Sequence, residues 1–316
     1  MKKWRIINLK YLSLFLLIGS LFSTAVYTQE LPIPEQIDGW QLKSVMTGDI
    51  TPSGVFRENV AMDLDSEGNL YIVDRGRNRL VKLSPEGFFL HEVGGFGDGT
   101  EQFNDPRDVD AHLTLNIFVA DYNNDRIVRF DQRLNYLNEF KSSEDSPIFF
   151  ERPLSVAVSN QYDIFLLDDL NKEVIKINRF NQPLIAFGNA SDNLGQLLGP
   201  YQLAISQKNE IYVTDQSQKA VIIFDYLGNF IMELTNPEFQ DPKGIDIDSY
   251  DQMVVTDPAA RKIFFFRDHS SFIQELDLKP TGLIPVDALY WQPRGKKIAY
   301  LYILTSQKCL VFAKNL

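Results

Sequence analysis

The chain has 316 residues, of which 44% are hydrophobic and 23% charged, a composition typical of a folded globular protein. Its 31 basic and 42 acidic residues give a net charge of −11, which argues against nucleic acid as a partner because the phosphates would be repelled. A single cysteine, Cys309, excludes an intrachain disulfide.

The first 28 residues have the pattern of an export signal. Four basic residues precede an apolar stretch from Tyr11 to about Val26, and no acidic residue occurs before Glu30. We expect a signal peptide at residues 1–25 with cleavage after Ala25, and therefore a secreted or extracytoplasmic protein (periplasm or cell surface). The alternative is an uncleaved anchor, in which case residues 1–28 would be the only contact with a membrane. Residues 26–38 are predicted to be a linker.

A pattern of 15 residues then recurs five times, with an aspartate at its sixth position. The aspartates are Asp74, Asp121, Asp168, Asp215 and Asp257, at steps of 47, 47, 47 and 42 residues. A fixed period of this length indicates repeated supersecondary units, each of which buries its apolar face against a neighbour.

Each unit is predicted to contain four short strands. The first follows a proline in all but one unit, and these opening strands begin near residues 60, 109, 156, 203, 245 and 286. Two runs rich in Val, Ile, Phe and Tyr follow, separated by a polar turn at the repeated aspartate, and a fourth strand comes after another turn. Six such units predict an all-β fold, a six-bladed β-propeller over residues 39–316.

The last unit contains residues 298–312, which match a second and a third strand. The segment Gly39–Val45 matches Gly87–Val93, the fourth strand of the first full unit. We therefore expect the N-terminal segment to supply the outer strand of the last blade, which closes the ring and removes an exposed sheet edge.

The second unit resembles the NHL repeat, in which an apolar strand ends in Asp and is followed by Asn, Arg and Ile at fixed spacing. Asp121, Asn124, Arg126 and Ile127 fit this pattern fully, whereas the units of Asp215 and Asp257 keep only the aspartate and the apolar strand. The resemblance covers about residues 39–316. It implies a propeller, and because NHL propellers include binding platforms and lyases alike, it implies no single activity.

The five repeated aspartates are predicted to be structural, because an Asp carboxylate at a turn accepts backbone N–H groups. Functional side chains are instead expected where each opening strand begins, at the mouth of the central channel. The predicted ligand- or partner-binding residues are Asn59, Arg107, Asp108, Arg152, Ser155, Tyr201, Gln202, Lys243 and Asp287. The simplest alternative is that these polar residues only line a water-filled channel.

No catalytic constellation is evident, and the sequence favours a non-catalytic binding platform for a protein or a small polar ligand. No cofactor is expected; Asn59, Asp108 and Asp287 are weak candidates for a Ca²⁺-like ion. The alternative is an enzyme resembling metal-dependent lactonases or peptide-amidating lyases, which share this shape. The lyases need several histidines around zinc, and His91, His112 and His269 are not expected to converge.

Overall fold

The computed structural model describes residues 32–112, 115–142, 148–267 and 271–316. These residues form six antiparallel sheets arranged in a ring, which confirms the predicted six-bladed β-propeller. In the described part of the chain, helix is limited to 3-10 turns at Arg75–Arg77, Tyr122–Asn124 and Lys279–Thr281, and none of the helical segments could cross a membrane. The predicted signal peptide and His269 lie outside the described residues.

The described residues begin with two strands, β1 (Gln36–Ile37) and β2 (Trp40–Met46). Blades 1 to 5 are then formed by four consecutive strands each. Blade 1 contains β3 (Asn59–Leu64), β4 (Leu70–Asp74), β5 (Arg79–Leu83) and β6 (Phe89–Gly94). Blade 2 contains β7 (Pro106–Asp110), β8 (Asn116–Asp121), β9 (Arg126–Asp131) and β10 (Tyr136–Lys141).

The same order repeats in the next three blades. Blade 3 contains β11 (Pro153–Val158), β12 (Ile164–Asp168), β13 (Glu173–Ile177) and β14 (Pro183–Phe187). Blade 4 contains β15 (Pro200–Ile205), β16 (Ile211–Asp215), β17 (Ala220–Phe224) and β18 (Phe230–Thr235). Blade 5 contains β19 (Ile245–Ile247), β20 (Gln252–Asp257), β21 (Lys262–Arg267) and β22 (Ser271–Asp277).

Blade 6 is formed by both ends of the described chain. Its strands are β23 (Asp287–Trp291), β24 (Ile298–Leu304), β25 (Cys309–Asn315) and β2. Strand β2 pairs antiparallel with β25, with Gln41 opposite Ala313 and Met46 opposite Cys309, so the predicted closure is confirmed. Strand β1, which falls inside the predicted linker 26–38, adds a short fifth strand outside β2.

The core lies between the blades. Six clusters of buried apolar residues can be recognised among the described residues, and each joins two neighbouring blades. One of them packs Met62 and Ile72 of blade 1 against Leu289, Tyr302 and Cys309 of blade 6. Because this cluster is of the same kind as the others, the ring is closed by packing as well as by strand pairing.

Burial follows position within the blade. The second and third strands of blade 1, β4 and β5, are buried at every residue, because each face packs against a neighbouring blade. The outer strand β6 is largely exposed. The first strand of each blade faces the central channel, so alternate residues of these strands are available to line it.

Candidate functional site

The repeated aspartates bind the backbone that leads into their own blades. Asp74 Oδ1 accepts the N–H groups of Arg57 and Glu58 at 3.1 and 3.0 Å, just before strand β3. Asp121, Asp168, Asp215 and Asp257 do the same in blades 2 to 5. All five side chains are completely buried, and their carboxylates are occupied by protein groups.

Four of the predicted channel-mouth side chains connect one blade to the next. Each accepts a hydrogen bond from a backbone N–H on the first strand of the following blade. The pairs are Asp287 with Met62 (2.9 Å), Asp108 with Val156 (3.1 Å), Ser155 with Leu203 (3.0 Å) and Gln202 with Ile245 (2.9 Å). The first strands do not pair with one another, so these side chains supply acceptors that their backbone would otherwise lack.

Asp108 is the centre of these links. Ser155 Oγ donates to Asp108 Oδ2, and Gln202 Nε2 donates to Asp108 Oδ1 at 3.0 Å, so side chains join blades 2, 3 and 4. Burial raises the pKa of Asp108 to about 7, although the hydrogen bonds act in the opposite direction. Burial likewise raises the pKa of Asp287 to about 8. Both carboxyl groups therefore hold a proton part of the time near neutral pH.

The remaining predicted contact residues lie on the face where the first strands begin, which we call the start face. Arg107 pairs with Asp105 at 2.7 Å, and Lys243 lies 5.3 Å from the centre of the Tyr201 ring. These three predicted residues are half-buried, whereas Arg152 is exposed. Together they place basic and aromatic side chains on the start face, beside the acidic Asp105 and Asp241. Binding of a partner there stays a prediction.

The three weak metal candidates are engaged by the protein. Asp287 accepts backbone N–H groups on both oxygens, from Met62 and from Ala288. Asn59 Nδ2 donates to the carbonyl oxygen of Thr305 at 3.2 Å, and both oxygens of Asp108 are hydrogen-bonded. Asn59 Oδ1 has no hydrogen-bond partner. The oxygens of Asp108 and Asp287 are already engaged, and a metal ion there would have to compete with the links between blades.

A cavity of about 680 Å³ occupies the channel. Its wall begins at Asp108 and Gln202 and follows the first strands to the opposite face, the end face, where Ser66, Asn160 and Arg294 are exposed. The volume falls within the range of small-molecule sites. The cavity therefore opens on the face opposite the basic and aromatic surface.

Acidic side chains from three blades line this cavity. Asp63 of blade 1 and Asp110 of blade 2 lie beside His112, and one potential ligand atom of each falls within 4.8 Å of the others. Burial, with the charge of Asp110, raises the pKa of Asp63 to about 7. Burial also raises the pKa of Asp246 in blade 5 well above its ordinary value, and the charge of Asp63 adds to this.

His112 carries the compensating positive charge. Its Nδ1 lies 3.0 Å from Asp110 Oδ2. The His112 side chain is 40% exposed and lines the cavity. Its enclosure among neighbouring groups would lower its pKa, but the carboxylates of Asp110, Asp63 and Asp246 outweigh this and raise the pKa to about 9. The imidazole is therefore protonated at neutral pH, and it offsets part of the negative charge of the wall.

Two carboxylate oxygens of the wall have no hydrogen-bond donor, Asp110 Oδ1 and Asp248 Oδ2. Their companion oxygens are held by backbone: Val158 N–H donates to Asp110 Oδ2 at 3.0 Å, and two turn N–H groups donate to Asp248 Oδ1. Buried acceptors nearly always have a donor in folded proteins. The wall can therefore accept donors from a bound group.

These cavity residues were not predicted from the sequence, which indicated His112 only as a loop residue. A signal was present in the alternation of acidic residues along three first strands, at 63 and 65, 108 and 110, and 246 and 248. Alternate residues of a strand lie on the same face. Spacing of this kind on strands that surround a channel predicts an acidic wall.

No protein-family model and no curated protein sequence matches the chain. Solved structures do match. A streptogramin B lyase structure aligns with a TM-score of 0.61 and 10% identity over 86% of this chain and 98% of that chain. A catalytically inactive virginiamycin B lyase from Staphylococcus aureus with quinupristin aligns with a TM-score of 0.61 and 11% identity over 86% of this chain and 99% of that chain. Hydrazine synthase from Kuenenia stuttgartiensis aligns with a TM-score of 0.56 and 12% identity over 87% of this chain and 98% of that chain. At these identities the similarity shows a shared fold: the chain is a β-propeller.

Proposed function

We propose that the protein is an exported binding protein whose ligand is a small organic cation held in the channel cavity. The observation that carries this proposal is the acidic wall with the unpartnered Asp248 Oδ2. Asp246 lies two residues earlier in the chain and adds a second carboxyl group from blade 5 to the cavity wall. An ammonium group offers both the donors and the positive charge that this part of the wall lacks.

An aromatic side chain of blade 6 borders the proposed site. Trp291 lines the cavity together with Asp246 and Asp248 of the neighbouring blade 5, whereas the ring of Tyr290 packs against Trp40 in the core. The Trp291 ring packs 5.5 Å from Tyr300, which fixes its orientation. Aromatic rings attract ammonium groups through their negative faces, so carboxylates beside an aromatic ring suit an organic cation better than a neutral ligand.

The test is a thermal-shift and calorimetric titration of the folded protein with spermidine, putrescine and, as a neutral control, 1,4-butanediol. We expect the amines to raise the melting temperature and butanediol to leave it unchanged, because a ligand of the native state stabilises it.

Asp248→Asn should abolish the rise in melting temperature caused by the amines, while it keeps the hydrogen bonds that Oδ1 accepts from the turn. Glu233→Gln, on the exposed outer strand β18, should behave as wild type. An equal amine shift in Asp248→Asn, or no shift in wild type, would refute the proposal.

We also propose that the blades are NHL-type repeats. In blade 2, Arg126 Nε and Asn124 Nδ2 both donate to Asp121 Oδ2 at 2.7 Å. The residues that carry the resemblance thus form one hydrogen-bonded unit, which supports a common origin for the pattern. Blade 1 keeps the equivalent pair, with Arg79 Nε donating to Asp74 Oδ2 at 3.0 Å.

Export is supported by the basic and then apolar composition of residues 1–28. N-terminal sequencing of the protein from its own host tests it: the mature chain should begin directly after Ala25. A chain that retains Met1 in the soluble cytoplasmic fraction would contradict export.

A protein partner would use the start face, whose Arg107, Tyr201, Lys243 and Arg152 are suited to a contact surface.

A further inference from the structure

We infer that the channel also holds a divalent transition-metal ion, of the Mn²⁺, Fe²⁺ or Zn²⁺ type, bound by Asp63, Asp110 and His112. One potential ligand atom of each residue lies within 4.8 Å of the other two. Adjacent ligands of such an ion lie about 3–3.5 Å apart. His112 Nδ1 and Asp110 Oδ2 are already 3.0 Å apart, so the contraction needed falls mainly on Asp63.

The backbone of the neighbouring blade holds both carboxylates in place. Asp63 Oδ2 accepts the N–H of Ala111 at 2.6 Å, which joins blade 1 to blade 2 next to His112. Asp110 Oδ2 accepts the N–H of Val158 at 3.0 Å, which joins blade 2 to blade 3. Ligands oriented by such partners lose little freedom when an ion binds, so the ring geometry prepares the site.

An unpartnered oxygen gives the second indication. Asp110 is 5% exposed, its Oδ1 has no hydrogen-bond donor, and the residue lines the cavity. A buried carboxylate oxygen without a donor is costly. Coordination to a cation removes that cost at Asp110. Asp63, like Asp287, already has a donor on each oxygen, so it would bind the ion through a second lone pair of one oxygen.

The charges around the three residues also favour an ion. Asp63 and Asp110 meet at the boundary between blades 1 and 2, and Asp246 lines the same cavity. A divalent ion bound by two carboxylates and by the neutral imidazole of His112 would offset this negative charge.

The ligand types select the class of metal. Two carboxylates and one imidazole suit Mn²⁺, Fe²⁺ or Zn²⁺, whereas Ca²⁺ and Mg²⁺ prefer ligand sets made of oxygen alone. Three protein ligands leave further coordination positions, which would face the cavity and be open to water or to a ligand. This set differs from Asn59, Asp108 and Asp287, the residues that the sequence suggested for a Ca²⁺-like ion.

The experiment uses the folded protein after treatment with a chelator and desalting. Zn²⁺, Mn²⁺ and Co²⁺ are titrated by calorimetry, with Co²⁺ absorption as a direct report of coordination. We expect one ion per chain and a rise in melting temperature. His112→Ala should weaken binding by more than the roughly 10- to 100-fold that is lost when a group orienting a ligand is removed. Asp110→Asn should weaken binding as well.

His91→Ala is the matched control, because His91 lies on the exposed outer strand β6, and it should bind metal as wild type. Circular dichroism of each variant checks the fold. No stoichiometric uptake by wild type, or undiminished uptake by His112→Ala, would overturn the inference. If His112→Ala lowers the melting temperature of metal-free protein and wild type takes up no ion, the cluster is only an internal ion pair, and the inference fails. Asp248→Asn should still bind metal, so this result and the amine result are independent.

Discussion

The side chain of Asp287 in blade 6 occupies the space beside Gly244 in blade 5. A β-carbon on Gly244 would lie 2.6 Å from Asp287 Oδ1 and 2.7 Å from Thr256 Oγ1. The same carboxylate accepts the N–H of Met62 in blade 1 at 2.9 Å. The absence of a side chain at residue 244 therefore allows blade 6 to reach blade 1 and to complete the ring of links.

Gly244→Ala should destabilise the protein by about 1–3 kcal/mol, the usual cost of overpacking a tight site. Asp287→Ala should also destabilise it, because the buried N–H of Met62 loses its acceptor. In the double variant, however, the methyl group no longer meets the carboxylate of Asp287, although it still lies close to Thr256 Oγ1 and to the Cα of residue 287. We expect the double variant to lose less stability than the two single variants added together, as measured by urea unfolding in a double-mutant cycle.

Gly99→Ala is the control for this cycle. Its β-carbon would meet only the flexible end of the Gln102 side chain, at 2.9 Å, and this end can move away. Gly99→Ala should therefore cost less than Gly244→Ala and should show no coupling to Asp287→Ala. Strict additivity of Gly244→Ala and Asp287→Ala would contradict the steric relationship.

Arg126 fixes the connection between blades 1 and 2. Its side chain is 1% exposed and pairs with Asp121 at 2.7 Å and with Glu139 at 2.6 Å. Its remaining N–H groups donate hydrogen bonds to backbone carbonyl oxygens of the connection that spans residues 94–105. Arg126→Met should reduce the free energy of unfolding by about 3–5 kcal/mol, because it leaves the buried Asp121 carboxylate without its ion pair.

Arg133→Met provides the comparison, because Arg133 is exposed in the turn between β9 and β10. Substitutions at exposed positions usually change stability by less than about 0.5 kcal/mol. Urea unfolding of both variants, followed by tryptophan fluorescence, gives the two free energies. Equal losses would show that the ion pair and the carbonyl contacts contribute nothing specific.

Asp168 should make stability depend on pH. Burial raises the pKa of Asp168 to about 6, and the charge of Glu173, which stands where blade 2 has Arg126, adds to this. A carboxyl group with a raised pKa binds its proton more tightly in the folded chain than in the unfolded chain. Its contribution to the free energy of unfolding therefore falls as the pH rises from about 4 to about 6 and is constant above that range.

Asp168→Asn removes this titration. The melting temperature of wild type minus that of Asp168→Asn should be larger at pH 4.5 than at pH 7, measured at one ionic strength. Asp131→Asn is a suitable comparison, because hydrogen bonds to the half-buried Asp131 lower its pKa and reverse the expected trend. A difference for Asp168→Asn that does not change with pH would contradict the shifted pKa.

The repeat period and the closing strand were predictable because both follow from apolar spacing, which the sequence records directly. The match of Gly39–Val45 to Gly87–Val93 was enough to place β2 beside β25. The site was harder to predict. Polar residues at the start of the first strands were expected to face a ligand, and this stays a prediction. The sequence did not indicate that Ser155 and Asp287 accept backbone N–H groups of the next blade.

The physical reason is that a propeller leaves its first strands unpaired toward the channel. The distance between neighbouring blades decides how many of these N–H groups need a side-chain acceptor. That distance cannot be predicted from a single sequence. The same applies to His112, which joins Asp63 only because blades 1 and 2 meet there. The alternating aspartates indicate an acidic wall, but the oxygens left without donors become visible only in three dimensions.

Closure by β2 gives the last prediction. Trp40 is 3% exposed and packs edge-to-face against Tyr290 at 6.1 Å, while Gln41–Met46 pair along β25. A chain that begins at Ser53 lacks β1 and β2 and exposes the edge of β25, which can then pair with another copy. We expect it to form dimers or larger species by light scattering and to melt at a lower temperature, whereas a chain that begins at Pro32 should remain as stable as the full chain. A synthetic peptide of residues 36–46 should restore the monomer and raise the melting temperature, because it supplies the missing hydrogen bonds and the Trp40 side chain. If the shortened chain stays monomeric and melts as the full chain does, strand pairing between the two ends does not hold the ring together, and packing between blades 6 and 1 is sufficient.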